Sequence, residues 1–330
     1  MGSVSSIHPQ VPDKWGVSEI PPQTGKIVVV TGANSGIGFE TALQLARKGA
    51  HVILACRDES RGRQAEENIS KMLAADGAPG TVQFMRLDVS DLGSVRHFSQ
   101  ELKKKHARLD LLINNAGVMG GSYELSPDGY ERQFATNHLG HFALTAELFE
   151  VIKKSTPARI VSVSSFVHRQ AWLSFDENQI MTPNEKAYAQ WTNYANTKLY
   201  NILFTIELHR RLRAKEVEGV TAVACHPGFS SSNLFIGPST SNSSWFWKFF
   251  FKISTWLPHQ STQMGALPTL YAATGSEVVG GDFFGPRRFG TLFGFPRRET
   301  PSKLSQSTRA AWKVWEASEK LAHLSFLSEK

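Results

Sequence analysis

Lys26-Ile27-Val28-Val29-Val30-Thr31 runs directly into Gly32-Ala33-Asn34-Ser35-Gly36-Ile37-Gly38. The first six residues form a β-branched run bounded by glycines, the pattern of a strand buried on both faces of a parallel sheet. Phe39 to Lys48, beyond the glycines, reads as a helix. A strand, a glycine turn and a helix together make a phosphate-binding unit. Glycines let the backbone approach a pyrophosphate, and the helix N-terminus supplies amide donors and positive potential. Gly32, Asn34, Ser35, Gly36, Ile37 and Gly38 are therefore the candidate contacts of the turn. The spacing G-x-x-x-G-x-G differs from G-x-G-x-x-G and belongs to a variant of the dinucleotide fold; an ordinary tight turn is the competing reading.

Working outward, His51 to Ala55 reads as a second strand. The residues just past it stand about 20 positions beyond the glycine turn, where the adenosine ribose of a dinucleotide sits. An acid there favours a bare ribose diol. Here Cys56 and then Arg57 occupy the place, and a planar guanidinium suits a 2′-phosphate. The competing reading pairs Arg57 with Asp58 or Glu59 at the surface. Alternation continues through a charged helix (Asp58 to Ala75), a strand ending Arg86-Leu87-Asp88-Val89, a helix (Leu92 to His106) and a strand (Leu109 to Ile113). This pattern predicts an α/β fold, a Rossmann-type doubly wound parallel sheet in a single domain. Asn114-Asn115-Ala116-Gly117 closes the fourth strand at the carboxyl edge where such sheets bind ligands, although a glycine turn with a capping amide would look the same.

Composition narrows the class. The chain has 330 residues, 41% of them hydrophobic and 20% charged, enough for a full core. Its formal charge of +7 is scattered, so nucleic acid is not an expected partner. Cys56 and Cys225 stand far apart and match no zinc spacing, so neither a disulfide framework nor a structural metal is expected, and a reducing, cytoplasmic setting fits. Residues 1–24 carry four prolines and no apolar signal segment, and read as an extended N-terminal arm; residues 25–330 form the domain. His138 and His141 make an H-x-x-H pair with no third ligand in view, which favours polar packing over metal. The G-x-S-x-G signature of serine hydrolases is absent from the sequence.

Tyr194 and Lys198 are four residues apart, on one face of a helix. A cation close to a phenol oxygen favours phenolate and lowers a pKa that is otherwise near ~10. Tyr194 thereby becomes a candidate general acid/base. By itself the spacing is common on solvated helix faces.

Thr31 to Gly38, Asn114 to Gly117, Ser164-Ser165, Tyr194-x-x-x-Lys198 and His226-Pro227-Gly228, in that order, resemble the short-chain dehydrogenase/reductase family. Ala55-Cys56-Arg57-Asp58, Thr136-Asn137-His138-Leu139-Gly140-His141-Phe142 and Tyr200-Asn201-Ile202-Leu203-Phe204 are similar to the branch containing the retinol dehydrogenases and the WW-domain oxidoreductases. The resemblance runs from about Trp15 to the helix with Trp312 and Trp315. It implies a hydride transfer between NADP(H) and the carbonyl or alcohol of a small molecule. Tyr194 would donate the proton, Lys198 would lower its pKa and bind the nicotinamide ribose, Ser165 would hydrogen-bond the substrate oxygen, and Asn137 would hold a relay water. Asp88 and Val89 would contact adenine, and Asn115 and Ala116 would flank its ribose. Ser230 and Ser232 take the cofactor-contacting place after Pro227-Gly228, Ser232 where the family carries threonine.

Residues from about 166 to 190 then form a loop on the substrate side, and residues from about 233 to 260 a lid, followed by a C-terminal helical tail. Ser244 to Leu257 is the most apolar stretch, with 14 residues and two lysines, too short to span a bilayer. A lid this aromatic suits a large apolar substrate of retinoid, steroid or aromatic type. A core-packing helix and a peripheral membrane contact through 244–257 are the other readings. The rival to an enzyme is a non-catalytic NADP(H)-binding regulatory protein that kept the fold. A homo-oligomer is compatible with either.

Overall fold

The eight strands lie in one sheet in the order β3-β2-β1-β4-β5-β6-β7-β8. The computed structural model describes residues 10–173, 175–176, 178–182, 184–229 and 260–328. The lid expected at about 233–260, its aromatic stretch 244–257, Ser230 and Ser232 lie outside the described residues, apart from Gln260 itself. The strands are β1 (Ile27–Thr31), β2 (His51–Cys56), β3 (Thr81–Arg86), β4 (Leu111–Asn114), β5 (Ala158–Val163), β6 (Val220–Cys225), β7 (Phe283–Arg288) and β8 (Phe293–Arg298). All neighbours pair in parallel except β7 and β8.

The β-branched run of β1 has a physical reason. Val28 and Val30 pack into one core and Val29 into the opposite one, each fully buried, because successive side chains of a central strand point to opposite faces. Helices α1 (Gly36–Arg47), α2 (Glu59–Asp76) and α7 (Thr262–Thr274) cover the first face, while α3 (Leu92–Lys105), α5 (Gly140–Ile152), α6 (Gln190–Ala214) and α8 (Thr308–Ala322) cover the second. A short turn, α4 (Arg132–Phe134), leads through one π-helical turn at Ala135–Leu139 into α5.

Several boundaries differ from the sequence pattern. α1 begins at Gly36 rather than Phe39, since the glycine turn itself winds into the helix. β3 ends at Arg86, so Asp88 and Val89 lie beyond the strand at the sheet edge. Asp58 caps α2 by accepting from the Arg61 amide at 2.9 Å. The described part of the expected arm is docked: Val11, Trp15 and Ile20 are buried, and Trp15 meets Tyr271 edge-on with ring centroids 5.1 Å apart. Between Phe166 and Gln190 the chain forms 3-10 stretches at Phe166–Leu173 and Glu185–Ala187.

The C-terminal helix belongs to the same core as the sheet. Trp315 on α8 is fully buried, stacked on Phe204 of α6, edge-on to Phe142 of α5, and with the Arg211 guanidinium 4.5 Å from its ring centroid. Trp315→Ala should therefore destabilise the protein by about 3 to 5 kcal/mol. Guanidinium unfolding checks this, and a loss well under ~1 kcal/mol would show that α8 does not anchor the second core.

Candidate active site

At the carboxyl edge, where the paired strands β1 and β4 send their following helices to opposite faces of the sheet, lies a cleft of about 860 Å³. One end is the glycine turn. Gly32 and Gly36 hold φ of +67° and +58°, a region that L side chains disfavour. A Cβ on Gly38 would come within 2.5 Å of Asn115 Nδ2 and of the Gly32 carbonyl oxygen. The turn is thus pressed against the Asn115-Ala116 wall, and only an unsubstituted backbone fits. Thr31 ties the two together: its hydroxyl accepts the Asn115 and Ala116 amides at 2.9 Å each, and Asn115 Nδ2 donates to the Thr31 carbonyl at 2.7 Å. Asn34, Ser35, Ile37 and Gly38 line the cleft just before and within the start of α1, whose free amides point outward from the helix N-terminus. A bare glycine backbone leading into a helix N-terminus fits a dinucleotide's pyrophosphate.

Farther along the same edge, Arg57, Arg61, Asp88 and Val89 line the cleft. Arg57 is not paired with Asp58 or Glu59. Asp58 serves the α2 cap and lies 3.3 Å from Arg61, Glu59 pairs with Arg63 at 2.8 Å, and Arg57 Nε stands 3.9 Å from the Asp88 carboxylate with its side chain over half exposed. Asp88 in turn accepts from the Ser90 amide and hydroxyl. The Val89 carbonyl packs closely on Gly140 of α5, where a Cβ would fall 1.6 Å from its oxygen.

The other end of the cleft collects Ser164, Ser165, Tyr194 and Lys198. Strand β5 and helix α6 bring them there. The Ser164 hydroxyl is committed to the Lys198 carbonyl at 2.7 Å, whereas the Ser165 hydroxyl hydrogen-bonds the Tyr194 phenol. Lys198, 3% exposed, donates to the Val163 carbonyl at 3.2 Å, and its Nζ lies 5.7 Å from the centroid of the Tyr194 ring. A Cβ on Gly117 would sit 3.2 Å from that Nζ and 3.3 Å from Asn137 Oδ1, so Gly117 leaves the space in which lysine and asparagine approach each other. Asn137 belongs to the π-helical turn, a local irregularity that is frequent at functional sites. Its side chain is committed within the protein: Nδ2 donates to the Val118 carbonyl at 2.9 Å and to Thr197 Oγ1 at 3.0 Å, and Oδ1 accepts the Val118 amide at 2.8 Å.

Electrostatically the pair differs from the simple expectation. Burial pushes the Tyr194 phenol up, and the hydrogen bond with Ser165 is what pulls it down. The Lys198 ammonium stands 5.7 Å from the ring centroid, and burial lowers it to about 8. Residues that sequence reasoning gave no individual role include Thr31, Gly117, Arg61 and Thr197. Thr31 was legible as the last residue of the strand before the turn and Gly117 as the end of the Asn114 to Gly117 motif; Arg61 and Thr197 had no local signal. His138 and His141 diverge. His138 Nε2 meets Ser318 Oγ of α8 at 2.8 Å, and His141 Nε2 meets Thr31 Oγ1 at 2.9 Å. Among the described residues no cluster of three metal-ligating side chains occurs.

Comparison with known proteins agrees with this architecture. Residues 26–176 match the family model of the short chain dehydrogenases. Human (Homo sapiens) retinol dehydrogenase 11 is 41% identical over 278 residues, covering 84% of this chain and 82% of the relative. The WW domain-containing oxidoreductase of Gallus gallus is 38% identical over 302 residues, covering 90% of this chain and 68% of the relative. A solved but uncharacterised protein from Mycobacterium paratuberculosis superposes with a TM-score of 0.76 at 35% identity, over 95% of this chain and 99% of that one. A short chain dehydrogenase from Burkholderia cenocepacia, solved in complex with NADP, shares the fold with a TM-score of 0.59 at 21% identity, over 79% of this chain and 96% of that one. With a doubly wound sheet, a glycine turn at its switch point and relatives matched over most of their length, the chain belongs to the short-chain dehydrogenase/reductase family and is an oxidoreductase dependent on a nicotinamide dinucleotide.

Proposed function

We propose that this enzyme interconverts a carbonyl and an alcohol on an apolar small molecule, using NADP(H) in the cleft between the glycine turn and Tyr194. The observation that carries the reading is the convergence of the Ser165 and Tyr194 hydroxyls, beside a buried Lys198, at the end of the cleft opposite Arg57. The backbone from Gly32 to Gly38 would hold the pyrophosphate, Asp88 and Val89 the adenine, Asn115 and Ala116 the ribose beside it, Arg57 the 2′-phosphate, and Lys198 the nicotinamide ribose. The bound dinucleotide supplies or accepts the hydride.

The chain's own residues do the rest. During reduction, negative charge builds on the substrate oxygen, and Ser165 and Tyr194 offer two hydroxyl donors to it. Tyr194 gives up its proton to that oxygen. Because burial holds the phenol protonated, Tyr194 is ready as the acid at neutral pH. Lys198, whose ammonium persists below about 8, favours the phenolate that forms. The Asn137 amide group is engaged by Val118 and Thr197, so a relay water would be held at its main-chain carbonyl. Val118, Met119, Phe166, Val167, Trp191 and Phe229 line the same end of the cleft and favour an apolar substrate. Retinol dehydrogenases 11 to 14 among the relatives support a retinoid-like carbonyl or alcohol. No described helix is long and apolar enough to cross a membrane.

Tyr194→Phe should lower turnover by about 100- to 10,000-fold while leaving NADPH binding intact, because only the proton-bearing oxygen is lost. Near-normal turnover of retinal or an aromatic aldehyde by that variant would reject the mechanism. A second expectation concerns pH. Lys198 has its pKa lowered from the ordinary lysine value to about 8, so it is cationic below that pH and neutral above it. Reductive kcat/KM should be flat below pH 8 and fall by about tenfold per unit above it; a profile that stays level to pH 10 contradicts a role for the ammonium. Arg57→Ala should weaken NADPH by about 10- to 100-fold and leave NADH nearly unchanged. Titrating both cofactors at one ionic strength decides this, and an unaltered NADPH/NADH ratio removes Arg57 from cofactor choice.

A further inference from the structure

His141 is fully enclosed by the protein on α5, yet its ring touches both halves of the cleft's framework. The Thr31 hydroxyl already accepts two backbone amides, those of Asn115 and Ala116. A hydroxyl has two lone pairs and one proton, so that proton must go to a remaining acceptor. Two are in reach: His141 Nε2 at 2.9 Å and the Ile113 carbonyl at 3.4 Å. The shorter and better contact makes Nε2 the acceptor. A neutral imidazole with Nε2 bare carries its hydrogen on Nδ1, and Nδ1 lies 3.3 Å from the Asn137 carbonyl oxygen. Both ring nitrogens are therefore satisfied by one tautomer. Burial lowers the imidazole to about 4, which keeps it neutral at ordinary pH.

We propose that His141 is a positioning residue that fixes the Thr31 hydroxyl on one side and the Asn137 carbonyl on the other, holding the Asn115-Ala116 wall in register with the π-helical turn. The inference rests on reading this cleft as the dinucleotide site. Its physical basis is the lack of slack at the wall. A Cβ on Gly32 would already touch the Ala116 Cα at 3.0 Å, and one on Gly38 would collide with Asn115 Nδ2. With the Thr31 proton directed to His141, the hydroxyl presents its lone pairs to the two amides, and the wall is ordered before any ligand arrives. Without that acceptor the hydroxyl can rotate toward Ile113, the amides lose their partner part of the time, and ligand binding must supply the ordering. His138, three residues earlier, faces Ser318 on α8 and takes no part in this link.

The test is a cycle of His141→Phe, Thr31→Val and the double variant, with NADPH affinity read by titration and folding by thermal midpoint. His141→Phe should weaken NADPH by about 5- to 10-fold, the worth of one neutral hydrogen bond. The double variant should lose clearly less than the sum of the two single losses, since most of the effect of His141 passes through the hydroxyl. His141→Gln, whose amide oxygen can accept from Thr31, should recover most of the affinity. A merely space-filling histidine predicts the opposite on each count: additive losses, or no loss, and no rescue by glutamine. Any of these overturns the proposal. Should His141→Phe not fold, His141→Asn replaces it in the cycle, and the same non-additivity is required. If the wild-type chain bound no NADPH, the reading of the cleft and this inference would fall together, whereas binding with additive losses sinks the role of His141 alone.

Discussion

A lysine ammonium and a tyrosine phenol are buried side by side at the carboxyl edge of a parallel sheet, and desolvation acts on both. It drives each group toward its neutral form, lowering Lys198 and raising Tyr194. Neither shift is offset by a carboxylate within ion-pair reach among the described residues. What surrounds the ammonium instead is a set of oriented oxygen dipoles: the Val163 carbonyl accepts from it, and Asn137 Oδ1 and the open space at Gly117 border it. Such a site keeps its polarity without committing the cation to a fixed anion, so the charge remains available to a reaction.

That arrangement demands rigid walls. Asn137 clips the Val118 backbone on both its amide and its carbonyl, and Thr197, which Asn137 also reaches, donates to the Tyr194 carbonyl. Thr31 locks the Asn115-Ala116 turn to the last residue of β1. The Ser165 side is braced from the C-terminal half. His168 Nδ1 donates to the Ser165 carbonyl at 2.7 Å, and the Ser302 amide donates to its Nε2. Glu299, buried after β8, meets both Arg169 and His226 at 3.3 Å, while the Gly228 amide donates to His226 Nδ1. Segments distant in sequence therefore hold the two rims of one cleft.

Family membership and site geometry bear on different questions. Relatives matched over most of their length establish the oxidoreductase class, which removes the regulatory scaffold as an account of the family's chemistry. They bear on both nicotinamide dinucleotides alike. Past β2, Asp58 and Glu59 already have other partners, and Arg57 stands 3.9 Å from Asp88 of the next loop.

The sequence by itself determined the sheet, the glycine turn and the order in which the strands deliver their functional residues. These follow from local rules: β-branched runs on central strands, glycine where φ is positive, and a four-residue helical spacing for Tyr194 and Lys198. The tertiary structure decided what those residues experience. Spacing alone placed an ammonium near a phenol and predicted a lowered phenol pKa; burial, a property of the whole fold, raises it instead. An H-x-x-H pair read as polar packing, and the fold supplies the partners the sequence could not name: Ser318 on α8 and Thr31 on β1, 180 and 110 positions away. Gly117 and Gly140 read as ordinary turn and helix residues until the groups that would strike a Cβ were in place. Local periodicity encodes which face a side chain takes, but desolvation, hydrogen-bond partners and closeness of approach depend on segments that only the folded chain brings together.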